Sequence, residues 1–155
     1  MPFLSPQPDP ELFPFVRNDG GREEAGYKLK RDCVTRAITI ATGRRYRAVF
    51  RDMEVECGKN PGTGLHHQDY SKHLFRDKWS YIKLDFNNAR YSKKYLPDGI
   101  TLLVRTNRHL SCVLDGVLND TWNCAVTRTG RPKKIKGFFI KSNQIHLYHA
   151  LLQTK

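Results

Sequence analysis

The hydrophobic period changes near Asp77, and that change limits the fold more than any other feature of the chain. Upstream, Val34, Ala37, Ile38 and Ala41 recur at i, i+3, i+4 and i+7, the spacing of one apolar helix stripe. Asp32 stands where an N-cap belongs and Gly43 where a left-handed C′ residue stops a helix. A second helix is expected over 47–57, with Val49, Phe50, Met53 and Val55 inward, and a third over 65–75, with Tyr70 and Leu74 on its apolar side. The glycine- and proline-rich stretch 58–64 separates them. Downstream the pattern is that of strands: Trp79 to Phe86, then 100–104, 110–114, 116–118 and 135–140. Asp115-Gly116 is a hairpin turn signal, and 145–152 reads as a last strand or a short helix. Helices first and antiparallel strands after make an α+β domain of two layers, N-terminal helices packed on an antiparallel sheet.

Five of the eight prolines fall within the first 14 residues, so residues 1–26 can hold no long helix. They are expected as an extended Pro/Gly-rich arm, with Phe3, Phe13, Phe15 and Val16 lying across the core of a single domain over 27–155. No apolar run approaches the roughly 18–20 residues that cross a bilayer, and the first residues lack the basic and apolar regions of a secretory signal. The expectation is a cytoplasmic protein (host cell cytoplasm if phage-encoded) with no membrane partner. Oligomeric state is not legible.

The four cysteines, at 33, 57, 112 and 124, form no CxxC pair, and the six histidines no HExxH helix; neither a disulfide framework, a metal site nor a cofactor is expected. A net charge of +12, from 27 Lys and Arg against 15 acids, attracts polyanions. Nucleic acid or an acidic host protein is therefore one partner class. The charges are spread along the whole chain without a nucleic-acid motif, and the alternative reading is a solvated surface that keeps a small protein soluble.

Three residues carry a chemical constellation. Cys33 opens a buried helix, where the partial positive charge of the N-terminus stabilises a thiolate, the nucleophilic form. His109 stands at the threshold of a strand and can lower the thiol pKa, then protonate a leaving group. Asp120 ends the following strand, and a hairpin through Asp115-Gly116 would set it beside His109 to fix the imidazole. Backbone N–H groups at the start of the Cys33 helix are the natural oxyanion donors.

The chain order Cys, His, Asp resembles papain-like cysteine peptidases. The run Asp32-Cys33-Val34-Thr35-Arg36-Ala37, with His109-Leu110 and Asn119-Asp120, is similar to the double-glycine, bacteriocin-processing branch. It is more similar still to small phage proteins with an Asp-Cys-Val-x-Arg-Ala helix. Those share the loop Gly58-Lys59-Asn60-Pro61-Gly62-Thr63-Gly64 and a segment like Asp115-Gly116-Val117-Leu118-Asn119-Asp120-Thr121-Trp122. The resemblance spans residues 31–122 and implies a papain-like plan. It also implies hydrolysis of a peptide or amide bond in a peptide or protein substrate by the triad Cys33, His109 and Asp120. It departs at one point: papain-like peptidases place a Gln a few residues before the Cys, and 27–32 contain none. Asn18 or the Asp32 backbone would have to substitute. The alternative is a non-catalytic basic phage protein on a degenerate peptidase scaffold, binding nucleic acid or an acidic host protein.

The remaining candidates read as structural. Cys57, Cys112 and Cys124 are expected to pack, and His66, His67 and His73 to lie on a solvated helix face. Trp122 is expected as a core anchor near Asp120, or as a shield over the His–Asp hydrogen bond. Asp115 fits a turn former better than a triad acid. His146 and His149 have no evident role.

Overall fold

A computed structural model describes residues 9–28 and 30–154; Phe3 and the first part of the expected arm lie outside them. The fold is mixed α+β. β1 (Phe15–Arg17) is followed by α1 (Cys33–Thr42), α2 (Tyr46–Cys57) and α3 (His67–Arg76). Then come β2 (Trp79–Lys83), β3 (Leu102–Thr106), β4 (His109–Leu114), β5 (Val117–Asp120), β6 (Gly137–Lys141) and α4 (Ile145–Gln153). The segment expected as strand or short helix at the end is thus a helix.

The six strands form one open sheet in the order β1-β5-β4-β3-β6-β2. Pairing is antiparallel except at one edge, where β1 runs parallel to β5. The sheet is therefore mixed, not the purely antiparallel one expected. β1 was invisible in the pattern because all three of its side chains face solvent, so no alternation marks it. Phe15 and Val16 do not cross the core; Phe13 alone of the described arm apolars is buried.

The alternation of β3, β4 and β6 feeds two cores. Leu103, Leu110, Cys112 and Phe139 meet Val34, Ala37, Ile38, Val49, Met53, Tyr70 and Leu74 from the three N-terminal helices. On the opposite face Leu102, Val104, Val113, Phe138 and Ile140 pack on Phe13, Tyr91, Leu96, Ile135 and Tyr148. Burial of each large side chain contributes about 1.5–3 kcal/mol, so both faces of the sheet are held by packing, one against helices and the other mainly against loop segments and α4. Val55, expected inward, is 81% exposed; it falls off the stripe that Val49, Phe50 and Met53 define on α2.

Turn chemistry sets the register around the site. Leu114 pairs with Val117, and Asp115 and Gly116 both take positive φ, 48° and 86°, as a two-residue primed turn requires. A Cβ on Gly116 would lie 3.1 Å from the Gly99 nitrogen, so the close approach of the 98–99 loop also demands glycine. At the other end of β4, Thr106 pairs with His109, and Arg108 adopts φ 65° in the turn between them. Among the described residues no helix is long and apolar enough to cross a membrane.

Candidate active site

Cys33 is the first residue of α1, half-buried. The expected cap at Asp32 does not form: its side chain bonds none of the helix amides. That carboxylate is instead fully buried among Arg36, Arg22 (3.0 Å) and the Tyr46 hydroxyl, which donates to it at 2.6 Å. The Arg36 amide closes the first turn on the Asp32 carbonyl at 3.0 Å. The amides of Cys33, Val34 and Thr35 are thus left uncapped by that side chain and aim forward from the helix start.

His109 and Asp120 meet at the open end of the β4–β5 hairpin. Strand alternation puts both on the same face, and His109 Nε2 donates to Asp120 Oδ2 at 2.7 Å. The other carboxylate oxygen accepts from the Thr121 amide at 2.7 Å and from Arg36 Nη2 at 3.3 Å. Arg36 therefore ties both Asp32 and Asp120 to the Cys33 helix, a connection the sequence reading missed. The arm contributes as well, since the Asn18 amide donates to the Asp120 carbonyl at 2.9 Å. The Cys33 thiol lies close enough to the His109 ring and the Leu110 amide for both to lower its pKa. Trp122 lies across the imidazole, ring centres 5.5 Å apart, with Lys133 over its outer face. It is 47% exposed, so it covers the ring and does not anchor the core.

The electrostatics follow from these contacts. Burial raises the Cys33 thiol, but the hydrogen bond and charge of His109, the Leu110 amide and the Arg36 charge outweigh it, leaving the pKa below its ordinary value. Burial lowers His109, yet hydrogen bonds with Asp120, Cys124 and Cys33 carry it well above the ordinary range. Burial raises Asp120; its hydrogen bond to His109 and the nearby positive charges bring it net below a free carboxyl. Opposite shifts on thiol and imidazole favour a thiolate–imidazolium pair.

Other residues depart from expectation. Cys124, expected only to pack, is buried beside His109 and helps to raise the pKa of the imidazole. Its sulfur, the His109 ring and the Asp120 carboxylate have ligand atoms within 4.8 Å of one another. Among the described residues this group could hold a metal ion, at the expense of the hydrogen bond that orients the ring. His67 is not on a solvated face; it packs on Tyr70, Tyr81 and Phe139, and burial, then the charges of Arg105 and Lys136, lower its pKa to about 4. His73 bonds Glu56 at 2.7 Å, whereas His66 is exposed. Cys112 is buried, Cys57 half-buried at the end of α2, and His146 and His149 are exposed on α4. Asp115 is a turn residue, its carboxylate accepting from Thr101 at 3.2 Å.

Cys33 and His109 line a cleft of about 1050 Å³ between the helical half, through His67 and Tyr70, and the β3–β4 turn. Asn18 is not at this cleft: its side chain donates to Asn119 at 3.0 Å, which rules it out as the substitute oxyanion donor. Asn107, on the turn before His109, is among the lining residues and no glutamine is. No protein family, curated protein or solved structure matches this chain.

Proposed function

We propose that this chain is a cysteine hydrolase of papain-like plan and phage type, cleaving a peptide or amide bond with Cys33 as nucleophile, His109 as acid–base and Asp120 as orienting group. The observation that carries the reading is the relay at the cleft wall. A thiol at a helix start shares the cleft with an imidazole that lowers its pKa, and the imidazole Nε2 donates to a buried carboxylate at 2.7 Å.

Asp120 occupies Nε2, which leaves Nδ1 for sulfur. The Cys33 thiolate attacks the substrate carbonyl carbon, and the π electrons move to oxygen. The uncapped amides at the start of α1 would be the donors to that oxyanion, and each such donor is worth about 100–1000-fold in rate. The imidazolium gives its proton to the departing amine as the C–N bond breaks, leaving a Cys33 thioester. Neutral His109 then takes a proton from water, hydroxide adds to the thioester carbonyl, and collapse releases the acid and regenerates the ion pair.

The test uses p-nitrophenyl acetate as a generic acyl donor. The expected result is an acetyl group on Cys33, found by peptide mass spectrometry, with release of nitrophenolate that Cys33→Ala abolishes. Acetylation spread evenly over Cys33 and Cys57 would overturn the reading. The alternative, a basic protein that grips nucleic acid or an acidic protein without turnover, draws support from the missing upstream glutamine. On that reading Cys33 is unacylated and the basic cleft alone carries the function.

A further inference from the structure

The cleft is basic to a degree that the chain's overall charge does not explain. Eight Lys and Arg residues line it and no Asp or Glu does, although the chain carries 15 acids. Three of the eight are paired: Arg22 with Asp32, Arg36 with Asp32 and Asp120, and Lys59 with Asp69. Lys30, Arg31, Arg105, Arg108 and Lys136 have no carboxylate within 4.0 Å among the described residues. They sit on both walls: Lys30 and Arg31 just before the Cys33 helix, Arg105 and Arg108 flanking the turn before His109. Lys136 is joined to Arg105 by a backbone hydrogen bond of 2.8 Å. Positive charge continues past the site, because His67, Arg105 and Lys136 also line an adjoining pocket of about 380 Å³ with Lys83, Tyr81 and Phe86. After burial, the charges of Arg105 and Lys136 also lower the pKa of His67 beside them.

Unneutralised cations focused in a concave site attract anions more strongly than the same charges spread over a surface. We propose that the cleft selects an acidic polypeptide segment, with carboxylates on both sides of the bond presented to Cys33; this rests on the hydrolase reading above. A thiolate that forms acyl intermediates acts on carbonyl carbon, which a peptide supplies and a phosphodiester backbone does not. Acidic side chains on one side of the reacting bond would meet Lys30 and Arg31. Those on the other would meet Arg105, Arg108 and Lys136, with the Tyr81–Phe86 pocket accepting an apolar neighbour.

The experiment compares anionic iodoacetate with neutral iodoacetamide on the full chain, with glutathione as the reference thiol and labelled Cys33 quantified by mass spectrometry. At low salt the iodoacetate-to-iodoacetamide rate ratio at Cys33 should exceed that of glutathione on the order of 10-fold. It should shrink at about 0.5 M salt as screening shortens the reach of the cations, and fall in the double variant Arg105→Gln, Lys136→Gln. A ratio equal to that of glutathione, with iodoacetamide still singling out Cys33, would overturn the acidic-substrate proposal and leave the nucleophile intact. If iodoacetamide does not single out Cys33, the hydrolase reading fails and the proposal fails with it. Poly-L-glutamate should protect Cys33 from iodoacetamide better than a single-stranded oligodeoxynucleotide of equal charge. Equal or better protection by the oligonucleotide would overturn the polypeptide assignment in favour of nucleic acid.

Discussion

Cys33 and Cys112 belong to the same layer of the molecule, yet their surroundings push them in opposite directions. Cys112, in the middle of β4, is 0% exposed; it faces the helices beside Leu103 and Leu110. Burial, then the negative charges of Asp115 and Asp120, raise its pKa far above that of a free thiol. Cys33 is also largely withdrawn from water, but it has an imidazole, an amide and a guanidinium within reach. The lesson is that burial alone makes a thiol inert, and only built-in positive partners reverse it.

Removing each sulfur in turn gives the largest contrast. Cys33→Ala should abolish fast alkylation by iodoacetamide while changing folding by no more than about 1–2 kcal/mol, because the position is a first-turn helix site that alanine suits. Cys112→Ala should leave fast alkylation in place and show its effect in thermal melting, as a core vacancy does. Fast labelling that survives Cys33→Ala would erase the distinction. His109→Ala comes next: without the imidazole the Cys33 thiol returns toward its ordinary pKa, and alkylation near pH 6.5 should slow on the order of 100-fold. A smaller loss, roughly 10-fold, is expected for Asp120→Asn, which keeps a hydrogen-bonding group beside the ring but removes the charge that stabilises imidazolium. Rates measured by mass spectrometry at fixed pH rank the three, and Asp120→Asn matching His109→Ala would show that the ring collapses without its carboxylate.

Much of this site was legible because it rests on local rules. The stripe Val34, Ala37, Ile38 fixed α1, hence Cys33 at its start; Asp115-Gly116 fixed the hairpin, hence His109 beside Asp120. What escaped depends on contacts remote in sequence. Asp32 looks like a cap, but the cap bond loses to Arg36 one turn along α1, to Arg22 from the N-terminal arm and to Tyr46 from α2, and the last two arrive only through packing. Arg36 reads as one more surface cation in a chain of net charge +12, and nothing local says that it spans 84 residues to reach Asp120. Cys124 and Trp122 follow β5 in an irregular loop, where no periodicity tells a core side chain from one at the site. β1 joins the sheet through its backbone alone, so its exposed side chains carried no signal.

The central claim is that Cys33 is a thiolate held by His109, and absorbance at 240 nm reads thiolate directly. The difference between the protein and its Cys33→Ala variant should be followed against pH. The Cys33 pKa is lowered from 9.0 and the His109 pKa raised from 6.5, so the ion pair should dominate the interval between them. The thiolate signal should already be present at about pH 7 and vanish only on acidification through the depressed thiol pKa, as the sulfur takes up a proton. A difference signal absent at neutral pH, rising only near pH 9 or above, would contradict the account.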